Sequence, residues 1–273
     1  MGLPLSHPLS HGGRHVPCRG GAGMRLPPHA FLASTAGAWL LALVCTFWSA
    51  PAFAQMGEPP FNHFMQFEEL EYGFNDRDNP LSWDSTAWFG GDWNRVWLKV
   101  EGEAATVDPE VEGEAQLLYS RLIAPFWEFQ VGVRGDLVAA EGQSTEGRGH
   151  LVFGVEGLAP YWFEVEPAVF ISHRGDVSFR LRATYDLYIT QRLIAHPSFE
   201  TNIAVQTVPE FGVGAGFNDI DLGLRLGYQI AREFAPYIGV SWNQAFAETA
   251  DLRRAAGRTA SDLQGVAGLR FWF

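Results

Sequence analysis

The sequence predicts a transmembrane antiparallel β-barrel of about ten strands, preceded by a short disordered arm. Three observations predict it. The N-terminus reads as an export signal, apolar and polar residues alternate through most of the remaining chain, and the last strand ends in Phe271-Trp272-Phe273.

Arg14, Arg19 and Arg25 precede an apolar stretch from Ala30 to Trp48, which leads into Ser49-Ala50-Pro51-Ala52-Phe53-Ala54. A positive flank, an apolar segment and an A-x-A site are the parts of a secretory signal peptide. Residues 1–54 are therefore expected to be removed, with Met24 as an alternative start to Met1. A membrane anchor fits less well, because the apolar stretch falls short of about 20 residues and carries a processing site. Both cysteines, Cys18 and Cys45, fall inside this segment. Disulfides, thiolate metal sites and cysteine nucleophiles are thereby excluded from the mature chain. Sixteen Lys and Arg then stand against 31 Asp and Glu, a formal charge of −15. Such an excess of carboxylates repels nucleic acid and attracts cations.

Residues 55–80 show no sustained period and contain Met56-Gly57-Glu58-Pro59-Pro60 and the acidic run Glu68-Glu69-Leu70-Glu71. They read as a flexible periplasmic arm, and residues 81–94 as a lead into the barrel or a plug at its mouth. The barrel itself is expected over residues 81–273. Its strands fall near 95–104, 112–121, 128–139, 148–158, 162–172, 177–189, 193–205, 218–230, 236–246 and 262–273. The segment 219–230 shows the alternation best. Ile220, Leu222, Leu224, Leu226, Tyr228 and Ile230 share one face, and Asp219, Asp221, Gly223, Arg225, Gly227 and Gln229 the other. Short connections such as Ile123-Ala124-Pro125-Phe126-Trp127 and Phe234-Ala235-Pro236-Tyr237 alternate with longer polar loops at 105–111, 140–147, 173–176, 206–217 and 247–261. Short periplasmic turns opposite longer external loops are the asymmetry of outer-membrane barrels, with Trp and Tyr forming a girdle at the interface. The chain is thus placed in the outer membrane of a Gram-negative bacterium, with lipid around it.

The inward parity collects charge. Glu101, Glu103, Glu112, Glu114, Glu164, Glu166, Arg180, Arg182, Asp219, Asp221, Arg225 and Arg270 all carry it. A narrow barrel is filled by side chains, so these residues are expected to form an ion-pair network, with surplus carboxylates available to a cation path. In the arm, His63 and Met65, with Met56 nearby, offer imidazole and thioether ligands that suit copper. His150 and His173 come near the external ends of adjacent expected strands and are candidates for a shared metal. A surface hydrolase built on Asp219, Asp221 and His150, or on Ser198 and His196, has no specific motif behind it, so no enzymatic activity is expected.

Several segments also resemble one family. Ser82-Trp83-Asp84 and Gly90-Gly91-Asp92-Trp93-Asn94-Arg95-Val96-Trp97-Leu98-Lys99-Val100-Glu101-Gly102-Glu103 are similar to the opening of copper resistance protein B barrels. So are Leu117-Leu118-Tyr119-Ser120-Arg121, Gln130-Val131-Gly132-Val133-Arg134, Gly157-Leu158-Ala159-Pro160-Tyr161-Trp162, Arg232-Glu233-Phe234-Ala235-Pro236-Tyr237 and Gly268-Leu269-Arg270-Phe271-Trp272-Phe273. The resemblance runs from about residue 75 to the end. It implies an outer-membrane protein that binds copper, as Cu(I) or Cu(II), and contributes to copper resistance. It also implies work beside a periplasmic multicopper oxidase or copper-binding protein. Family members often carry a Met- and His-rich segment before the barrel; here that segment reduces to Met56, His63 and Met65, enough for one ion or a docking contact. A barrel that only anchors such a partner is the competing expectation.

Overall fold

A computed structural model of the protein describes residues 61–75, 79–106, 110–140 and 145–273. The expected signal peptide and Met56 lie outside these residues. Thirteen antiparallel strands follow one another in a single sheet. They are β1 (Asn62–Phe74), β2 (Leu81–Gly90), β3 (Asn94–Ala104), β4 (Glu110–Ala124), β5 (Trp127–Ala140), β6 (Glu146–Ala159), β7 (Phe163–Ser172), β8 (Val177–Thr184), β9 (Leu187–Tyr188), β10 (Leu193–Ala204), β11 (Gly216–Tyr228), β12 (Phe234–Ala245) and β13 (Ser261–Trp272).

The sheet closes on itself, because β1 pairs with β13 as well as with β2. A closed sheet leaves no edge of unpaired N–H and C=O groups. Thirteen strands fill twelve positions, since β9 takes up the place of β8 beside β10. The interruption falls opposite Pro197, next to the last β8–β10 pair, Ser198 with Thr184. Proline has no N–H to donate, so the ladder yields there and resumes where Ala195 meets Leu187.

The all-β antiparallel barrel is as the alternation predicts, but with twelve positions rather than about ten. The two added strands are β1 and β2, in the stretch expected to be arm and lead-in. Residues 62–74 are therefore part of the wall. Their alternation is hidden by a bulge: the pairing with β2 slips between Phe67 and Glu69, which moves the outward set from odd to even positions. The segment 247–261, expected as a polar loop, holds one further element. Ala247–Ala255 forms a helix, α1, between β12 and β13. Among the described residues, no helix is long and apolar enough to cross a membrane.

The outer face is apolar. Leu98, Leu117, Val133, Leu151, Phe153, Leu224, Ile238, Val240 and Leu263 are all exposed there. A soluble sheet would hide such residues, whereas a membrane barrel turns them to lipid. Turns at one end of the barrel are short, as at 125–126 and 160–162, and the other end carries the 205–215 loop and α1.

Candidate functional site

Because successive side chains in a strand alternate sides, the interior is built from one parity of every strand. Midway along it lies a small apolar layer of Trp97, Leu118, Val152 and Phe170, with Trp88 and Ala168 packed against it. Cations cap its rings. The Arg134 and Arg180 guanidinium groups lie 4.6 and 5.3 Å from the Phe170 centroid, and Lys99 Nζ lies 5.5 Å from that of Trp97. Trp97 Nε1 donates to Ser120 Oγ at 2.9 Å, and Ser120 Oγ donates onward to Glu128 at 2.7 Å.

Around this layer the charges are paired. Arg180 reaches Glu101 at 2.7 Å and Glu114 at 2.8 Å, while Arg182 reaches Glu101 at 2.6 Å, Glu200 at 2.9 Å and Asp84 at 3.2 Å. Glu101 thus bridges two guanidinium groups. Arg134 joins Glu114 at 2.7 Å and Asp136 at 2.6 Å. The space left among Asp84, Lys99, Glu101, Gln116, Arg180 and Arg182 is about 30 Å³, on the order of one or two water molecules.

Toward the short-turn end, Arg225 donates to Glu71 and Glu69, and Tyr237 Oη donates to Glu71 at 3.0 Å. Arg270 Nη1 lies 2.9 Å from His196 Nδ1, with Asp186 Oδ1 2.5 Å from the same nitrogen. Ser198 Oγ accepts from Arg225 Nη1 at 3.2 Å, so His196 and Ser198 are engaged by different partners. Lys99 Nζ bridges Glu156 at 2.8 Å and Glu166 at 2.7 Å. Glu164 stands beside them without an ion pair among the described residues. Carboxylate oxygens of Glu156, Glu164 and Glu166 lie within 4.8 Å of one another, close enough to share a small cation.

At the long-loop end, Asp219 meets Arg253 of α1 at 3.5 Å and Asn202 at 3.1 Å, and Asp221 accepts from Asn243 Nδ2 at 3.5 Å. Arg258 reaches across to Glu110 and to Glu112. Those two carboxylates hold its guanidinium above its usual value, against the opposing effect of partial burial. Glu103 lies at this rim near Ser82. In the β7–β8 turn, the Ser172 hydroxyl first, and Arg148 second, hold the Asp176 carboxyl below the usual range.

The metal candidates are scattered. His63 and Met65 pair with Phe89 and Ala87 on the outward face of β1, not on a free arm. His63 is exposed, and Met65 exchanges backbone hydrogen bonds with Phe273. His150 is buried against Phe170, with Nδ1 3.5 Å from Asp136. His173 follows Ser172, the residue that pairs with His150, in the turn beyond β7, where it is exposed and its Nδ1 lies 3.3 Å from Gly149 O. Four interior carboxylates, Glu69, Glu71, Asp84 and Glu128, belong to the network although the alternation did not single them out. For the first three, the missing signal was the strand itself.

A family model described as Copper resistance protein B precursor matches residues 61–273. Copper resistance protein B of Escherichia coli is 42% identical over 212 residues, which cover 78% of this chain and 70% of that protein. Copper resistance protein B homolog of Pseudomonas syringae pv. tomato is 34% identical over 219 residues, covering 80% and 72%. Among solved structures the chain is similar to the KdgM porin, with a TM-score of 0.44 at 11% identity, and to the NanC porin, with 0.47 at 12%. Each covers 77% of this chain and 99% of the porin. The family match takes in every strand of the barrel, β1 and β2 included, and the chain belongs to the copper resistance protein B family.

Proposed function

We propose that this chain is a non-enzymatic barrel of the Gram-negative outer membrane that binds copper and contributes to copper resistance, handing the ion across its interior. The observation that carries the reading is the surplus of interior carboxylates: Lys99 bridges Glu156 and Glu166 while Glu164 beside them has no ion pair among the described residues, and Asp221 accepts from an amide rather than a cation. Family membership supports copper as the ion, and the apolar outer face supports insertion in lipid. Short turns then belong on the periplasmic side. His63 and Met65, two positions apart on the outward face beside Phe273, form the candidate contact for a periplasmic copper-binding protein or multicopper oxidase. Isothermal titration of the refolded barrel tests the reading. Wild-type protein binds copper, and either Glu164→Gln with Glu166→Gln or His63→Ala with Met65→Ala weakens it at least tenfold. Affinity equal in all three proteins would sink the assignment.

The dense ion pairing of the interior favours a second reading, a structural barrel that anchors a copper-handling partner. Under it, cells carrying the His63, Met65 double variant lose copper tolerance while the interior variant keeps it.

A further inference from the structure

The basic residues of the described barrel are distributed unevenly. Ten enter the interior network or its rim pairs, and Arg174 and Arg254 pair with Glu210 and Asp251 at the long-loop end. Arg121, Arg192 and Arg232 make no ion pair or side-chain hydrogen bond among the described residues, and all three lie at the short-turn end, exposed. Arg121 shares the outward face of Leu117, Tyr119 and Ile123. A guanidinium on a lipid-facing wall is costly at the bilayer centre and nearly free at the headgroup level.

Arg192 and Arg232 belong to one place. Their turns are joined by the hydrogen bond from Gln229 N to Arg192 O at 2.8 Å, and Arg232 O accepts from Trp272 Nε1 at 3.0 Å. Next to the Arg232 turn, Glu233, Phe234, Phe271, Trp272 and Phe273 line an open apolar cleft. Two unpaired cations in joined turns beside an apolar cleft complement a molecule with an anionic head and hydrocarbon tails. We propose that this cleft is a binding site for an anionic glycerophospholipid of the periplasmic leaflet, its phosphate on Arg192 and Arg232 and an acyl chain against Phe234 and Phe273. The site rests on the membrane-spanning reading and is independent of copper.

Native mass spectrometry of the intact barrel, released from lipid discs of equal phosphatidylglycerol and phosphatidylcholine with matched chains, tests it. Wild-type protein retains phosphatidylglycerol over phosphatidylcholine about fivefold or more, the effect of roughly one arginine at a membrane surface. Arg192→Gln with Arg232→Gln brings the ratio near one, Phe234→Ala lowers retention of both lipids, and Arg254→Gln at the other end changes nothing. No preference in wild type, or an equal loss with Arg254→Gln, overturns the site. A protein that fails to enter the discs overturns the membrane-spanning reading instead, whereas loss of copper binding with lipid preference intact leaves the site standing.

Discussion

Arg225 and Glu71, 154 positions apart, meet inside the barrel through two hydrogen bonds of 2.9 Å, and both side chains are buried. Each charge has lost its water and depends on the other. Removing one partner leaves a buried charge uncompensated, which typically costs about 3–5 kcal/mol, whereas replacing both by apolar residues of similar size is far milder. Glu71→Ala should therefore lower the urea midpoint of the refolded barrel much more than Glu71→Leu with Arg225→Met. Equal losses would mean that Tyr237 or Glu69 already carries the compensation.

The pairing also explains what could be read in the residues and what could not. Arg225 lies in the clean alternation of 219–230, so its inward position is legible. Glu71 lies beyond the bulge at residue 68, where outward His63, Met65 and Phe67 give way to outward Leu70 and Tyr72. A search for strict period two loses the strand at that phase change. β2 is obscured differently: inward Trp88 is apolar and outward Ser85 is polar, because Trp88 packs against the apolar layer inside the barrel. The bulge hid Glu69 and Glu71 by hiding their strand, and the blurred pattern of β2 hid Asp84. Glu128 was within a recognised strand, but nothing local marks it as the partner of Arg95.

The apolar layer sets a conductance prediction. Trp97 and Phe170 are both buried in the interior, and Lys99, Arg134 and Arg180 stand over their rings. Trp97→Ala with Phe170→Ala should turn a nearly silent barrel into one with steady ionic current in planar bilayers. The cavity should destabilise it by about 3–5 kcal/mol per ring. A wild-type barrel that already conducts steadily would show that the layer is not the barrier.

Close strand approach at Gly132 sets a steric prediction. A Cβ there would fall 2.0 Å from Leu117 O and 2.8 Å from Leu118 Cα, both backbone atoms that cannot turn away. Gly132→Ala should destabilise the barrel by about 1–3 kcal/mol or more, seen as a lower temperature for loss of the compact band in gel electrophoresis. Gly135, with open space around it, should tolerate the same change.

Acid should loosen the long-loop end. The Glu248 carboxyl of α1 is held below its usual value by the Thr207 hydroxyl at 2.6 Å and then by the Ala215 N–H at 3.0 Å. A lowered folded-state value contributes stability above the ordinary glutamate pKa, and that contribution fades as pH falls through the lowered one. Amides of the 205–215 loop, each measured against its intrinsic exchange rate at the same pH, should be well protected at pH 7 and lose protection near pH 3. Glu248→Gln should show low protection at both; full protection in that variant at pH 7 would remove Glu248 from the latch.

The seam between β1 and β13 has a consequence for how the molecule is made. It runs from the hydrogen bonds between Met65 and Phe273 to the pair of Phe74 with Gly265, so the ring closes only when β13 is in place. A chain without β13 exposes two raw strand edges and an apolar face at once. Maturation is therefore all-or-nothing: loss of β13 should yield material for proteolysis rather than a slightly weaker barrel, because a hoop with one missing stave is an open sheet.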